Sequence, residues 1–103
     1  MNYFKVVLEI IRSEVQNLID EGTLVSDLNL GQLGLETTRD PAHGDLASNA
    51  AMVLAKSART NPKELGQLIV DRLVKRPEFE FVSLAGPGFI NLKMVAQFWT
   101  QLL

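Results

Sequence analysis

The spacing of apolar residues changes near Glu78, and this change limits the possible folds more than any other feature of the sequence. In two long segments before it, residues 3–21 and 62–76, apolar side chains recur every three or four residues. After it they alternate with polar ones. The first spacing is typical of amphipathic helices and the second of strands. The sequence therefore predicts a mixed fold with a strand pair near its carboxyl end.

The ends of both long helices are marked by residues that favour helix boundaries. Gly22 follows the first helix and supplies the permissive backbone that commonly ends one. Asn61 is the predicted N-cap of the later helix, with Pro62 at its first position and Glu64 two residues further on, as in a capping box. We expect this helix to end at Pro77, because proline lacks the backbone N–H that a continuing helix requires.

The region between the two helices is predicted less directly. Residues 23–32 form a loose connection with a hydrophobic patch, and residues 33–39 form a short strand. Residues 40–45 have the composition of a turn. Asp45 is the expected N-cap of a helix at about residues 46–59, whose alanine-rich stripe allows close approach to a neighbouring element.

The carboxyl-terminal part predicts a hairpin followed by a short helix. Residues 79–85 and 89–94 alternate as strands on either side of the turn Gly86-Pro87-Gly88. Residues 95–103 then form a helical piece with four large apolar side chains, Phe98, Trp99, Leu102 and Leu103. With 103 residues, 47% of them hydrophobic, we expect one domain over residues 1–103. Its predicted class is α+β, with helices packed on one face of a small, mostly antiparallel sheet.

Composition excludes several classes of function. The chain has no cysteine and one histidine, so disulfides, thiolate nucleophiles and multi-histidine metal sites are ruled out. No apolar run approaches the roughly 20 residues of a membrane helix, and no leader opens the sequence, so we expect a cytoplasmic protein without a membrane partner. The net charge of −2 argues against bulk electrostatic binding of nucleic acid, although residues 56–76 hold six basic and two acidic side chains.

One cluster of polar residues offers catalytic or metal-binding chemistry, and it is weak. His43 lies between Asp40 and Asp45, but no nucleophile or second histidine is near in sequence. Turn formation explains all three residues, so we predict no catalytic and no metal-binding residue, and a nearly unchanged activity for His43→Ala. Gly86-Pro87-Gly88 is likewise a turn rather than a phosphate cradle, because it precedes a strand.

The last strand carries the most informative surface. Alternation places Ile90, Leu92 and Met94 on one face and Phe89, Asn91 and Lys93 on the other. If the aliphatic face is buried, a ring that can stack on a base, an amide that can bond a base edge and a cation for phosphate are exposed together. The alternative is that Phe89 packs under a loop and Asn91 is an ordinary solvated residue.

Three segments resemble the amino-terminal domain of arginyl-tRNA synthetases. They are LETTRDPA followed by HGDLASNAAMVLAK at residues 35–56, NPKEL at residues 61–65, and AGPGFINL at residues 85–92. The resemblance extends over nearly the whole chain. It implies a non-catalytic module of helices on a small antiparallel sheet, which precedes a class I catalytic core and contacts the D-loop side of the tRNA elbow.

The resemblance also implies specific roles. By the resemblance, Phe89 and Asn91 would lie at the D-loop base. Our own hypothesis adds that Gly86 and Gly88 permit close approach and that Lys56, Arg59 or Lys93 meets phosphate. The expected partners are arginine-accepting tRNA and the catalytic core of the same protein, without DNA. No cofactor is expected in this domain, and ATP with magnesium would bind the core, whose signature motifs are absent here.

Two other functions remain open at this stage. The terminal apolar residues suit a protein interaction module, and a free-standing tRNA-binding relative without an enzyme would have the same sequence. Neither the D-loop base nor the oligomeric state follows from the residues, nor does the order of residues 23–32 in the absence of RNA.

Overall fold

The computed structural model describes residues 3–101, which form four helices and a four-stranded sheet. Along the chain these are α1 (Tyr3–Asp20), β1 (Leu35–Thr37), β2 (Leu46–Ser48), α2 (Ala50–Leu54), α3 (Pro62–Leu73), β3 (Phe79–Ala85), β4 (Phe89–Met94) and α4 (Ala96–Gln101). Single 3-10 turns lie at Leu30–Gln32 and Pro41–His43. The predicted α+β class is confirmed.

All strand pairs in the sheet are antiparallel, and the strand order is β1-β2-β4-β3. Its inner face packs against helices, and the aliphatic residues of β4 are almost completely buried there: Ile90 and Leu92 are 0% exposed and Met94 is 3% exposed. The core also includes the apolar stripes of α1 and α3. The opposite, outer face carries the second set of side chains of each strand.

The predicted helix over residues 46–59 is wrong at its start and too long. Leu46–Ser48 is a strand that lies between β1 and β4 and pairs with both. Two ladders of backbone hydrogen bonds outweigh the helix propensity of this alanine-rich segment, because they satisfy its peptide groups on both sides. The helix itself is α2, Ala50–Leu54, followed by turns.

The predicted N-cap at Asp45 is also wrong. The Asp45 carboxylate instead accepts a hydrogen bond from the Met94 N–H at 2.9 Å, and the N-cap position of α2 is Asn49. Asn49 in turn accepts a bond from the Gly34 N–H, so its side chain ties the start of α2 to the entrance of β1. Ser48 accepts from the Ala50 N–H and takes over part of the capping.

The other boundaries agree more closely with the sequence. Gly22 has φ +82° after α1, and the Asn61 side chain caps α3 by accepting from the Glu64 N–H at 2.8 Å. Helix α3 ends at Leu73, however, four residues before Pro77, and the first strand is shorter than residues 33–39. The hairpin strands have the predicted bounds. The predicted contributions of Leu102 and Leu103 lie outside the described residues.

Candidate functional site

The outer face of β4 carries the three side chains that the sequence singles out. Phe89 and Lys93 are half-buried, whereas Asn91 is only 5% exposed. The prediction that the aliphatic set faces the core is therefore confirmed. The Asn91 amide is less exposed than the sequence suggests, because it lies at the bottom of a depression rather than on an open surface.

This depression, which we call the Asn91 groove, has a volume of about 580 Å³. Asn91 and its cross-strand partner Ala47 lie on its floor. Other lining residues come from β1, the β1–β2 loop, the hairpin turn and the start of β4: Glu36, Arg39, His43, Gly86, Pro87 and Phe89. Phe89 and Asn91 thus line the same groove, beside the small side chain of Ala47.

The Asn91 amide has no hydrogen-bond partner within residues 3–101. The amide atoms of Asn91 are not among the fully buried side-chain atoms that lack a partner, so they remain open to the groove. A carboxamide supplies both donors and an acceptor. An unpaired carboxamide on the floor of a groove is thus available to bond a ligand that presents both kinds of group.

The β1–β2 loop is held against β4 by Gly44 and Asp45. The Asp45 N–H donates to the Leu92 carbonyl at 2.7 Å, next to the Asp45–Met94 bond. Gly44 has φ +85°, and a Cβ at this residue would lie 2.5 Å from the Leu92 oxygen. The motif that the sequence predicts as a turn therefore fixes the loop that carries Arg39 and His43 beside the groove.

The two glycines of the hairpin turn have different roles. Gly86 is exposed, has φ +57° and lines the Asn91 groove. Gly88 is buried, and a Cβ there would lie 2.7 Å from the Cβ of Pro62. The close approach at Gly88 is thus to the start of α3, and it fixes the turn from which Phe89 projects.

The predicted phosphate contacts are distributed over two places. Lys93 lies on the outer face of β4, near Asn91. Lys56 and Arg59 are exposed in the turns after α2 and line no part of the Asn91 groove. Arg59 adopts φ +59° and ends these turns. Of the three, only Lys93 shares the outer face of β4 with Phe89 and Asn91, although it too lines no part of the Asn91 groove.

A second depression adjoins the groove and includes residues that sequence reasoning left unassigned. It is lined by Tyr3, Trp99, Lys93, Asp45, Thr38 and Arg39, among others, and we call it the Trp99 depression. Trp99 is 36% exposed and meets Tyr3 and Phe98 edge to face, with ring centroids 5.1 and 5.2 Å apart. Arg39 and Thr38 line both depressions.

The sequence gives no signal that Arg39, His43 or Trp99 lines a depression on the outer sheet face, although it marks His43 as a member of a polar cluster. Arg39 follows a short strand and His43 sits in a turn, so each is explained locally. Only the alternation of β4 indicated which sheet face matters, and no comparable signal exists for a loop that folds beside that face.

The described residues give no sign of a metal or nucleotide cofactor site. Within residues 3–101, no group of three or more His, Cys, Asp or Glu side chains is arranged to hold a metal ion. The Gly86–Gly88 turn leads into β4 and packs against Pro62, so it does not fit ATP phosphates. Over the same residues, no helix combines the length and apolar character needed to cross a membrane.

The sequence matches one protein family over most of its length. Residues 5–94 match the family described as the arginyl tRNA synthetase N terminal domain. The arginine–tRNA ligase of Methylobacterium sp. (strain 4-46) is 44% identical over 103 residues, which are all of this chain and 18% of that relative.

Two further relatives agree with this match. The arginine–tRNA ligase of Rhizobium meliloti (strain 1021) is 51% identical over 78 residues, which are 76% of this chain and 13% of the relative. That of Parvibaculum lavamentivorans is 42% identical over 99 residues, or 96% of this chain and 17% of the relative. The chain thus spans less than a fifth of the length of the ligases it matches.

Proposed function

Because the chain belongs to the family of arginyl-tRNA synthetase N-terminal domains, we propose that it is the tRNA-binding module of an arginine–tRNA ligase. Its Asn91 groove would receive an unpaired base from the D-loop at the tRNA elbow. The observation that carries this proposal is the unpaired Asn91 amide, 5% exposed on the groove floor beside the Phe89 ring.

The recognition divides into stacking and hydrogen bonding. Phe89 is half-buried, so its ring is held in place while part of it remains open to a base. Base–aromatic stacking contributes about 1–3 kcal/mol per base and tolerates any base. Asn91 would supply selectivity, since its amide can both donate to and accept from a base edge.

The surrounding residues support this arrangement. Gly86 lines the groove without a side chain that would obstruct the base, and Gly88 fixes the turn by its contact with Pro62. Lys93 is the cation nearest to Asn91 along β4 and would contact the adjacent phosphate. Lys56 and Arg59 would meet phosphates further along the RNA, outside the groove.

The chemistry of the ligase would belong to a catalytic core outside this chain. We propose that the core, in the same cytoplasmic protein, attaches arginine to its tRNA with ATP and magnesium, while this domain positions the elbow. The module itself would need only weak affinity for tRNA, because linkage to the core raises its effective concentration at the elbow.

Replacement of Phe89 by alanine tests the proposal. We expect Phe89→Ala to raise the Kd of the chain for arginine-accepting tRNA about 5- to 150-fold, which corresponds to the loss of about 1–3 kcal/mol of stacking. Filter binding or fluorescence anisotropy measures the Kd, and far-UV circular dichroism with a thermal melt checks folding.

Phe81→Ala is the matched control. Phe81 is also half-buried and lies opposite Lys93 on β3, but it lines neither the Asn91 groove nor the Trp99 depression. We expect its removal to leave the Kd for tRNA unchanged. Equal Kd values for the Phe89→Ala variant and the unaltered chain would rule out base stacking in the groove.

A protein interaction module is the second candidate, and exposed Trp99 is the observation that favours it. Titration with tRNA, and with the separately produced catalytic part of the Methylobacterium relative, distinguishes the two candidates. Binding to the catalytic part but not to tRNA, with the surroundings of Phe89 and Asn91 unchanged when tRNA is added, would favour the protein interaction module.

A further inference from the structure

The geometry points to a second nucleotide subsite in the Trp99 depression, so that the chain holds two consecutive unpaired nucleotides of RNA. The first base would lie on Phe89 above Asn91, the second on Trp99, and Arg39 would meet the phosphate between them. This inference rests on the proposed RNA-binding function and extends it from one base to a dinucleotide step.

The two depressions are adjacent and share lining residues. Arg39 and Thr38 line both, so a ligand that passes from one to the other passes Arg39. Asn91 on the groove floor and Lys93 in the Trp99 depression are two residues apart on β4, a separation of about 7 Å by strand geometry. An RNA strand that follows β4 over this length passes from the Asn91 groove into the Trp99 depression.

The two cations at the depressions, Arg39 and Lys93, take no part in the ion pairs of the described fold. Arg12, Arg72 and Arg76 all form ion pairs with glutamates, whereas the Arg39 and Lys93 side chains have no ion pair or hydrogen bond within residues 3–101. Arg39 is also exposed. A guanidinium without a carboxylate partner beside two depressions is suited to a phosphate, which it can bind with two parallel hydrogen bonds.

Trp99 has the features of a stacking platform. Its edge-to-face contacts with Tyr3 and Phe98 hold the indole in place, while about a third of the residue stays exposed. A ring that is already ordered loses little conformational entropy when a base stacks on it. Asp45 faces the same depression, and one of its carboxylate oxygens bonds the Met94 N–H, which leaves the other for a ribose hydroxyl.

The test compares ligands that contain one and two nucleotides. The four nucleosides and the dinucleotides UpU, CpC, ApA and GpG are titrated into the ¹⁵N-labelled chain, and amide shifts and Trp99 emission are followed. We expect the tightest dinucleotide to bind at least about fivefold more tightly than its nucleoside, as a second stacked base requires, and to quench Trp99.

Arg39→Gln removes the proposed phosphate contact, and Lys75→Gln is its control. Lys75 is exposed, without an ion pair in the described part of the chain, and lines neither depression. We expect Arg39→Gln to reduce the gain in affinity from nucleoside to dinucleotide, because the phosphate contact is lost while the second base can still stack, and Lys75→Gln to leave both affinities unchanged.

The outcomes separate this inference from the proposed function. One outcome is that every ligand changes the amide chemical shifts of Phe89 and Asn91, while no dinucleotide binds more tightly than its nucleoside or quenches Trp99. This outcome would overturn the second subsite and leave the first intact. No shift at Phe89 or Asn91 with any nucleoside or dinucleotide would overturn both. A gain in Arg39→Gln as large as in the unaltered chain would overturn the phosphate contact that joins the two subsites.

Discussion

Gly44 shows how one residue can support the site without contacting a ligand. Its backbone has φ +85°, and the space that a side chain would occupy is filled by the Leu92 carbonyl. The backbone of β4 cannot give way cheaply, because Leu92 pairs with strands on both sides. The loop that carries Arg39 and His43 therefore lies where it does because residue 44 has no Cβ.

We expect Gly44→Ala to lower the free energy of unfolding by at least about 1 kcal/mol more than Gly22→Ala does. Gly22 has nearly the same backbone angle, φ +82°, but no atom lies within 4 Å of the position that a Cβ would take there. Both variants incur the left-handed backbone cost of about 1 kcal/mol, and only Gly44→Ala adds a steric clash. Urea denaturation measures both values, and equal losses would show that the loop is not closely packed on β4.

Asn91 illustrates the opposite case, a residue whose type suggests function and whose environment strengthens the suggestion. Alternation along β4 indicates that it points away from the aliphatic core, and the structure agrees. The groove that it lines also includes Ala47 and the loop residues Arg39 and His43, which are remote in sequence. No local pattern contains this information.

Helices α1 and α3 are joined by ion pairs near their ends. Arg72 of α3 binds Glu21, which follows α1, and its Nη2 lies 2.6 Å from Glu21 Oε1. Arg76 binds Glu14 at 2.6 Å. The Arg72 guanidinium lowers the pKa of Glu21, chiefly through the hydrogen bond, and Glu21 raises the pKa of Arg72. Both groups are exposed, so salt screens their attraction.

The lowered pKa of Glu21 makes the stability of the helix pair depend on pH. A carboxyl whose pKa is lower in the folded state stabilises the fold above its unfolded pKa, and this contribution disappears as the pH falls through the folded pKa. We therefore expect Glu21→Gln to reduce the free energy of unfolding at about pH 7 and to have little effect at about pH 3. Urea denaturation at the two pH values, at low salt, measures the difference.

Glu80→Gln is the control for the loss of a negative charge. Glu80 is exposed on β3 and forms no ion pair within residues 3–101. If Glu80→Gln and Glu21→Gln change stability equally at neutral pH, the Glu21–Arg72 pair contributes nothing specific.

Strand β2 is the element that sequence reasoning misassigned. Residues 46–48 adjoin alanines and a helix, and a three-residue strand has no periodicity that a pattern can reveal. Its conformation is set by β1 on one side and by β4, which is much later in the chain, on the other. The hairpin β3–β4 has the predicted bounds because its strands are longer, alternate clearly and flank a glycine-rich turn.

The molecule as a whole is acidic, with a net charge of −2, so its affinity for RNA should come from a few contacts. With Arg39, Lys93, Lys56 and Arg59 as the cations concerned, we expect the logarithm of the tRNA association constant to fall with the logarithm of salt concentration with a slope between about −1 and −3. Filter binding at about 50, 100 and 200 mM salt measures it. A slope of zero would mean that these cations meet no phosphate.

The one-sided packing of the fold explains why the outer sheet face is available. All the large aliphatic residues of β4 lie on the inner face, so the outer face retains polar and aromatic side chains and the depressions between them. The prediction of a single domain over residues 1–103 stays a prediction. The alternation of β4 correctly predicts which side chains lie opposite the aliphatic core.

The amino-acid sequence by itself determined the helical stripes, the terminal hairpin and the polarity of its last strand, because each depends on the spacing of neighbouring residues. It also carried the resemblance that led to the family. Only the tertiary structure decided that residues 46–48 are a strand, that Asn91 is buried without a partner among the described residues, and that Arg39 lines both the Asn91 groove and the Trp99 depression. These features depend on contacts between segments distant in the chain, and such contacts leave no periodicity in the local sequence.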